Sequence, residues 1–284
     1  MGTEAKRWVL VTGASSGIGR ATAEFLAERG FGVYGCARRN EDLEALARLA
    51  GVVALPLDVR SDVDAEAAAA RIARAGTGLF AVVNNAGIAR GGPLLDVSTE
   101  ELREQFEVNF FGVHRVTRAL LPLVVESKGR VVLMSSDSGF FAKPFFGPYC
   151  ASKFALEGYA DSLRREVCRL EVSVVLVQPG RIATPIWDKG EEQLARSGHG
   201  SPLLPLARKV GRHAIDRGKR TGIAPGEVAR VVHRALVARK PKARYLVAKE
   251  RWEYRLIRLL PSRAVDWLVA KELGRIERSA GGSP

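Results

Sequence analysis

The 284-residue chain is 46% hydrophobic and carries a formal net charge of +13, which excludes a disordered polyampholyte and predicts one α/β-sized domain with room for an appendage. No apolar run approaches the roughly 18–20 residues that span a bilayer, and MGTEAKRWVLVTG runs directly into a strand pattern, so no signal peptide is expected. The three cysteines, Cys36, Cys150 and Cys168, form no CxxC; they predict buried thiols in a reducing cytoplasm and speak against a zinc site.

The charge is unevenly placed. Residues 1–180 hold 21 basic and 21 acidic side chains, and residues 181–284 hold 23 and 10. A basic last third suits an anionic partner such as phosphate, acidic lipid or nucleic acid, or else a solvated arginine-rich surface.

Strand and helix patterns alternate along the chain. A strand over 8–13 leads to a helix over 17–30 that Gly30 stops, and 31–37 is the next strand. A helix over 40–50 takes Asn40 as its N-cap, followed by a strand at 52–59, a helix at 62–76 and a strand at 79–87. One long helix runs from Thr99 to about Glu126, opened by the capping box STEE and kinked near Pro122. Then come a strand at 130–136, a helix over Pro148–Leu170 and a strand at 172–180. The Gly- and Pro-rich segment 181–222 reads as a mobile flap over a site. A helix at 225–239, a strand at 244–248 and two short basic amphipathic helices over 251–274, broken at Pro261, complete the order. The tail ERSAGGSP reads as disordered.

The strands are continuous apolar runs, as in a parallel sheet covered by helices on both faces. The expected fold is a doubly wound Rossmann-type α/β sheet of about seven strands with a C-terminal helical extension. The expected division is a domain over 1–248, including the flap, and a basic extension over 249–284.

The first strand ends in TGASSGIG. In a βα turn of this kind Gly13 permits the bend, Gly17 lets backbone approach a pyrophosphate, and Gly19 lets the helix pack on the sheet. The second strand ends in CARRN, without the acidic residue that holds the ribose of NAD. Arg38 and Arg39 offer guanidinium groups to a 2′-phosphate, which favours NADP over NAD. Asp58, closing the third strand, meets the adenine or caps the following helix.

With these pieces in place the chain resembles the short-chain dehydrogenase/reductase family over residues 7 to about 245. The resemblance rests on TGASSGIG (12–19), NNAG (84–87), Asn109, Ser136, YCASK (149–153) and QPGRIAT (178–184). YCASKFALEG and the flap look most like the steroid and retinol dehydrogenase side of the family. The resemblance implies a ketone or aldehyde reductase, or the reverse alcohol dehydrogenase, acting on an apolar substrate. Tyr149 would be its proton donor, Lys153 together with the charge of oxidised nicotinamide would lower the tyrosine pKa, Ser136 would hold the substrate oxygen, and Asn109 would anchor a relay water. It also implies that Ser15, Ser16, Ile18, Val59, Asn85, Ala86, Gly87, Pro179, Gly180, Ile182 and Thr184 shape the cofactor site. The tyrosine–lysine pair alone is also ordinary helix surface; its neighbours in the motif set make it a proton device.

Ser138 competes with Ser136 for the substrate oxygen, and Gln178 stands where the family often has Asn or Glu. Phe140, Phe141, Phe145 and Phe146 fall between Ser136 and Tyr149 and suit either the core or a wall for a lipophilic substrate, with Phe145 and Phe146 assigned to the wall. His114 reads as structural, and the remaining histidines, His199, His213 and His233, suggest no nucleophile triad. The basic stretch 251–273 closes over the site or a dimer, or dips Trp252, Leu256, Leu259, Leu260, Trp267 and Leu268 into an anionic membrane. No nucleic acid is expected, since base-reading motifs are absent. A homodimer or homotetramer and a cytoplasmic location, with or without peripheral membrane contact, complete the expectation. The rivals are a non-catalytic NADP-binding redox sensor, a membrane- or nucleic-acid-binding module built on the basic tail, and, less favoured, a nucleotide-sugar epimerase.

Overall fold

The computed structural model describes residues 6–188 and 200–279. Seven strands pair in parallel in the order β3-β2-β1-β4-β5-β6-β7. They are β1 Trp8–Val11, β2 Gly32–Ala37, β3 Val52–Pro56, β4 Ala81–Asn84, β5 Arg130–Met134, β6 Ser173–Pro179 and β7 Arg244–Val247. The helices are α1 Gly17–Ala27, α2 Asn40–Ala47, α3 Asp62–Ala75, α4 Thr99–Phe106, α5 Gly112–Glu126, α6 Gly147–Glu166, α7 Leu204–Thr221, α8 Pro225–Val237, α9 Arg251–Ile257 and α10 Ser262–Ser279. The strand order reverses between β1 and β4, and ligands of doubly wound sheets lie in the crevice beyond that switch point.

The inner strands are apolar throughout because both faces are covered. Val9 and Val11 enter one core with Leu26 of α1, Leu46 of α2 and Val232 of α8. Leu10 enters the other with Ile72 of α3, Leu120 of α5 and Leu156 of α6. Full burial of each such side chain contributes about 1.5–3 kcal/mol.

Local signals hold at the start of α4, where Ser98 and Glu101 form the reciprocal capping box (Glu101 N to Ser98 Oγ 3.1 Å, Ser98 N to Glu101 Oε2 2.9 Å). They fail at α2. Asn40 is its first helical residue rather than its cap, and the preceding Arg39 makes no side-chain capping bond. The predicted single helix 99–126 also departs from regular winding, at a π-turn over Glu107–Phe111 rather than at Pro122. That extra residue in the turn leaves Asn109 fully buried.

The expected flap is not all loop. An 18-residue helix, α7, occupies Leu204–Thr221, and residues 189–199 lie outside the described residues. Its apolar stripe was hidden by the run of basic residues around it. Of the tail, residues 277–279 continue α10, and 280–284 lie outside the described residues. Cys36 and Cys150 are buried as expected, but Cys168 is exposed on the turn after α6.

Candidate active site

The turn from β1 into α1 is built as its glycines require. Gly13 and Gly17 adopt φ of +62° and +56°, where a Cβ is strained. A Cβ on Gly17 would stand 3.3 Å from Thr184, so the turn meets the loop after β6 with backbone rather than side chain. The Thr12 hydroxyl accepts the amides of Asn85 and Ala86, each at 2.9 Å, and Asn85 Nδ2 donates to the Thr12 and Gly13 carbonyls at 3.0 and 3.3 Å. Asn85 therefore clamps the turn. Ser16 enters α1 extended and makes no side-chain cap, which leaves the first-turn amides to meet an anion. The backbone cradle and the uncapped helix start fit a dinucleotide phosphate.

At the end of β2 the two arginines part. Arg38 lies 3.9 Å from Asp58, whereas Arg39 pairs with Asp42 at 2.8 and 3.1 Å. Asp58 is not the helix cap; Ser61 caps α3, taking the Asp64 amide at 3.1 Å. Arg60 grips the Asp58 carboxylate at 2.6 and 3.1 Å and holds it below the usual carboxylate range, against the effect of burial. Arg60 escaped the sequence reading because it follows the strand end by several residues. Val59 is buried against Gly112, where an added Cβ would stand 2.8 Å from it.

Tyr149 and Lys153 stand one turn apart on α6, with the Lys153 Nζ 5.7 Å from the tyrosine ring centre. Lys153 Nζ donates to the Met134 carbonyl at 2.7 Å. Burial lowers its pKa to about 8, opposed by the Glu157 charge. Burial likewise pushes the Tyr149 phenol up to about 12, with a hydrogen bond to Ser136 acting the other way. Desolvation outweighs the Lys153 charge here, and the ammonium is aimed at a carbonyl; the expected lowering of the tyrosine pKa is tied to an oxidised nicotinamide beside the pair.

Ser136 Oγ donates to Asp137 Oδ1 at 2.9 Å, lies 3.4 Å from the Pro179 carbonyl, and accepts the Ser138 amide at 3.1 Å. Ser138 sends its own hydroxyl to Asp137 Oδ1 at 3.3 Å. Asn109 is wholly engaged as a donor: Nδ2 reaches the Ile88 carbonyl at 3.0 Å and Ser152 Oγ at 3.1 Å, and Oδ1 accepts the Ile88 amide at 2.9 Å. A relay water at Asn109 would therefore have to donate to an oxygen.

Ser136, Tyr149 and Lys153 line a cavity of about 640 Å³ that also takes in Ile18 of the glycine turn and Thr184 of the loop after β6. Asn85, Gly87, Pro179, Gly180, Ile182 and Ser138 also border it. Helices α7 (Ala207, Ile215) and α10 (Leu268, Leu273, Ile276) line it with apolar side chains, beside the polar His213, Arg217 and Glu272. Phe141, Phe145 and Phe146 line the cavity, with Phe145 in the left-handed region at φ +63°. Phe140 does not; it packs edge-on against Tyr254, 5.8 Å between ring centres, under the Arg258 guanidinium.

Several groups here had no sequence signal. His213 of α7 borders the cavity with its Nε2 buried and unpartnered. Glu157, one turn beyond Lys153, accepts Ser135 Oγ at 2.5 Å, Gln178 Nε2 at 2.8 Å and Arg244 Nε at 2.9 Å. The unusual Gln178 thus joins α6 to the C-terminal extension, since Arg258 Nη2 donates to its Oε1 at 3.2 Å. Among the described residues no group of His, Cys, Asp and Glu could hold a metal ion, and no helix is long and apolar enough to cross a membrane.

Comparison with known proteins agrees with this geometry. The family model described as short chain dehydrogenase matches residues 7–195. The NADPH-dependent 3-dehydrocapnine reductase of Ornithobacterium rhinotracheale is 35% identical over 96% of this chain and 100% of its own. A short-chain dehydrogenase structure from Streptomyces avermitilis aligns with a TM-score of 0.77 at 30% identity, covering 99% of this chain and 100% of that one. A short-chain dehydrogenase/reductase from Burkholderia phymatum, solved with NAD, aligns with a TM-score of 0.77 at 25% identity, covering 90% and 94%.

Proposed function

The chain belongs to the short-chain dehydrogenase family, and from that premise we propose that it is an NADP(H)-dependent oxidoreductase interconverting an extended apolar ketone or aldehyde and its alcohol. One observation carries the reading: Ser136, Tyr149 and Lys153 share a cavity with Ile18 of the glycine turn and with apolar side chains of α7 and α10. A bound NADP(H) would supply or take up a hydride at its nicotinamide. Gly13, Ser15, Ser16, Gly17, Ile18 and Gly19 would hold its phosphates through backbone amides, and Arg38 would meet the 2′-phosphate. Arg39, tied to Asp42, is the lesser contributor. Asp58 and Val59 border the adenine, and Asn85 to Gly87, Pro179, Gly180, Ile182 and Thr184 border the nicotinamide end.

In reduction the Ser136 hydroxyl positions the substrate oxygen and Tyr149 gives it a proton. A phenol at about 12 gives up its proton slowly at neutral pH. Positive charge beside it, from the Lys153 ammonium and from an oxidised nicotinamide, would favour the phenolate. Lys153, at about 8, is itself a proton source close to neutrality. A water donating one hydrogen to an oxygen of Asn109 would pass its other proton to Lys153 and take up a replacement from solvent.

The apolar wall from α7 and α10 supports a substrate with a long or bulky apolar body. Exposed Trp252, Leu259 and Trp267 beside Arg251, Arg255 and Arg263 support contact with an anionic membrane surface, from which such a substrate would be drawn. Exposed Phe111 and Phe154, beside α5 and on α6, support a homodimer or homotetramer through those helices. The second reading, an NADP-binding redox sensor, keeps the cofactor cradle and dispenses with turnover.

The test is NADPH and NADH oxidation against steroid, retinoid, aryl and aliphatic carbonyls, with Tyr149→Phe beside the native chain. The expected result is turnover with NADPH on apolar carbonyls and a loss on the order of 10²-fold or more in the variant. Tight NADPH binding with no turnover on any carbonyl transfers the assignment to the sensor.

A further inference from the structure

Asp137 follows the serine assigned to the substrate oxygen, and it is 1% exposed. A buried carboxylate is costly unless its lone pairs are filled. Here they are filled by four side-chain donors. Ser136 and Ser138 donate to Oδ1, while Lys143 Nζ at 2.7 Å and Tyr254 Oη at 2.5 Å donate to Oδ2. Lys143 balances the charge.

Tyr254 comes from far along the chain, on α9, beyond the span the family model matches. It is the one buried residue of that helix. So little apolar burial cannot by itself hold a two-turn helix in place. Polar contacts join the Phe140 packing in docking it: Tyr254 to Asp137, Arg258 to Gln178, and Arg181 to Glu250. The first of these ends one bond away from the Ser136 hydroxyl.

The consequence lies in how Ser136 spends its single proton. In this arrangement the proton goes to Asp137. To hold a substrate carbonyl oxygen, Ser136 must turn that proton away from a carboxylate. A carboxylate whose other lone pairs are already filled competes less strongly for it.

We propose that Tyr254 is a positioning residue for this reaction: docked from the C-terminal extension, its hydroxyl occupies Asp137 and releases the Ser136 proton for the substrate oxygen. The proposal rests on the dehydrogenase reading of the site. It makes the extension beyond residue 249 part of the catalytic arrangement, and a chain in which α9 is undocked binds cofactor but turns over slowly.

The experiment compares the full chain with Tyr254→Phe, and with Glu277→Gln as an exposed control on the same C-terminal extension. Loss of one charge-assisted hydrogen bond should lower kcat by about tenfold in Tyr254→Phe while leaving the KM for NADPH unchanged. The pH profile should move as well. Burial works against the Asp137 charge, but Lys143, Tyr254 and Ser136 hold the carboxylate below its usual range. Removing one of them raises the pH at which activity falls on the acid side. Glu277→Gln should match the native chain. An unchanged kcat and acid limb in Tyr254→Phe overturns the proposal, as does a kcat loss accompanied by an equal rise in the KM for NADPH. A native chain without turnover sinks the dehydrogenase reading instead. The contact remains measurable then as non-additive thermal destabilisation in Tyr254→Phe, Asp137→Asn and the double variant, and additive losses refute it.

Discussion

Replacing Gly19 with alanine is a direct trial of the cofactor turn. Gly19 lies in the first turn of α1, facing the bend it follows. A Cβ built there falls well inside contact distance of the Gly13 carbonyl oxygen and Asn85 Nδ2, and 2.8 Å from the Gly13 carbonyl carbon, where ordinary contact begins at 3.4 Å. Neither obstacle can swing away. Gly13 is fixed at positive φ between β1 and the turn, and Asn85 Nδ2 is bound to the Thr12 and Gly13 carbonyls. The methyl must displace main chain, and overpacking of this kind costs about 1–3 kcal/mol. Breaking the Asn85 clamp adds about 1 kcal/mol for each bond lost. The thermal midpoint should fall by roughly 5 °C, and NADPH affinity should fall by about tenfold or more, because the displaced segment carries the phosphate amides. Calorimetry and a titration of NADPH fluorescence measure the two effects. Gly158→Ala on α6, where an added Cβ meets nothing within 4 Å, is the control and should stabilise the chain by about 0.5–1 kcal/mol. A Gly19→Ala chain with native midpoint and native NADPH affinity would refute the assignment of this turn to the cofactor.

Two further outcomes follow from side chains of the site. Lys153→Met should abolish most turnover yet stabilise the fold, because burial lowers the lysine pKa to about 8 from its ordinary 10.5. The unfolded chain then binds more protons between about pH 8 and 10.5, so the penalty of the buried ammonium is complete below pH 8 and fades through that window. Denaturant unfolding should show a gain on the order of 2 kcal/mol at pH 7 that shrinks toward pH 10; equal stability at pH 7 contradicts it. Arg38→Ala should raise the KM for NADPH by about tenfold while leaving that for NADH nearly unchanged. Equal effects on both cofactors would remove Arg38 from 2′-phosphate recognition.

What the sequence determined was local or periodic. The apolar runs and helical spacings marked each strand and most helices, because alternation between a covered sheet and its helices leaves a pattern in adjacent residues. The glycine turn, the Ser98–Glu101 cap and the Tyr149–Lys153 spacing were legible for the same reason, since each device closes within a few residues. Tertiary structure decided what depends on distant partners. The π-turn that buries Asn109 is fixed by its contacts with Ile88 and Ser152, 21 and 43 residues away. α7 and α10 became cavity walls only when folded against each other, so their basic residues concealed the apolar stripe between them. The separate fates of Arg38 and Arg39 depend on Asp58 and Asp42, and the rise in the Tyr149 pKa depends on burial, which no spacing reports. Tyr254 meets Asp137 across 117 residues. Nothing in either segment specifies the other; the folded sheet brings the end of β5 and the start of the C-terminal extension together, and a buried carboxylate selects the donors within its reach.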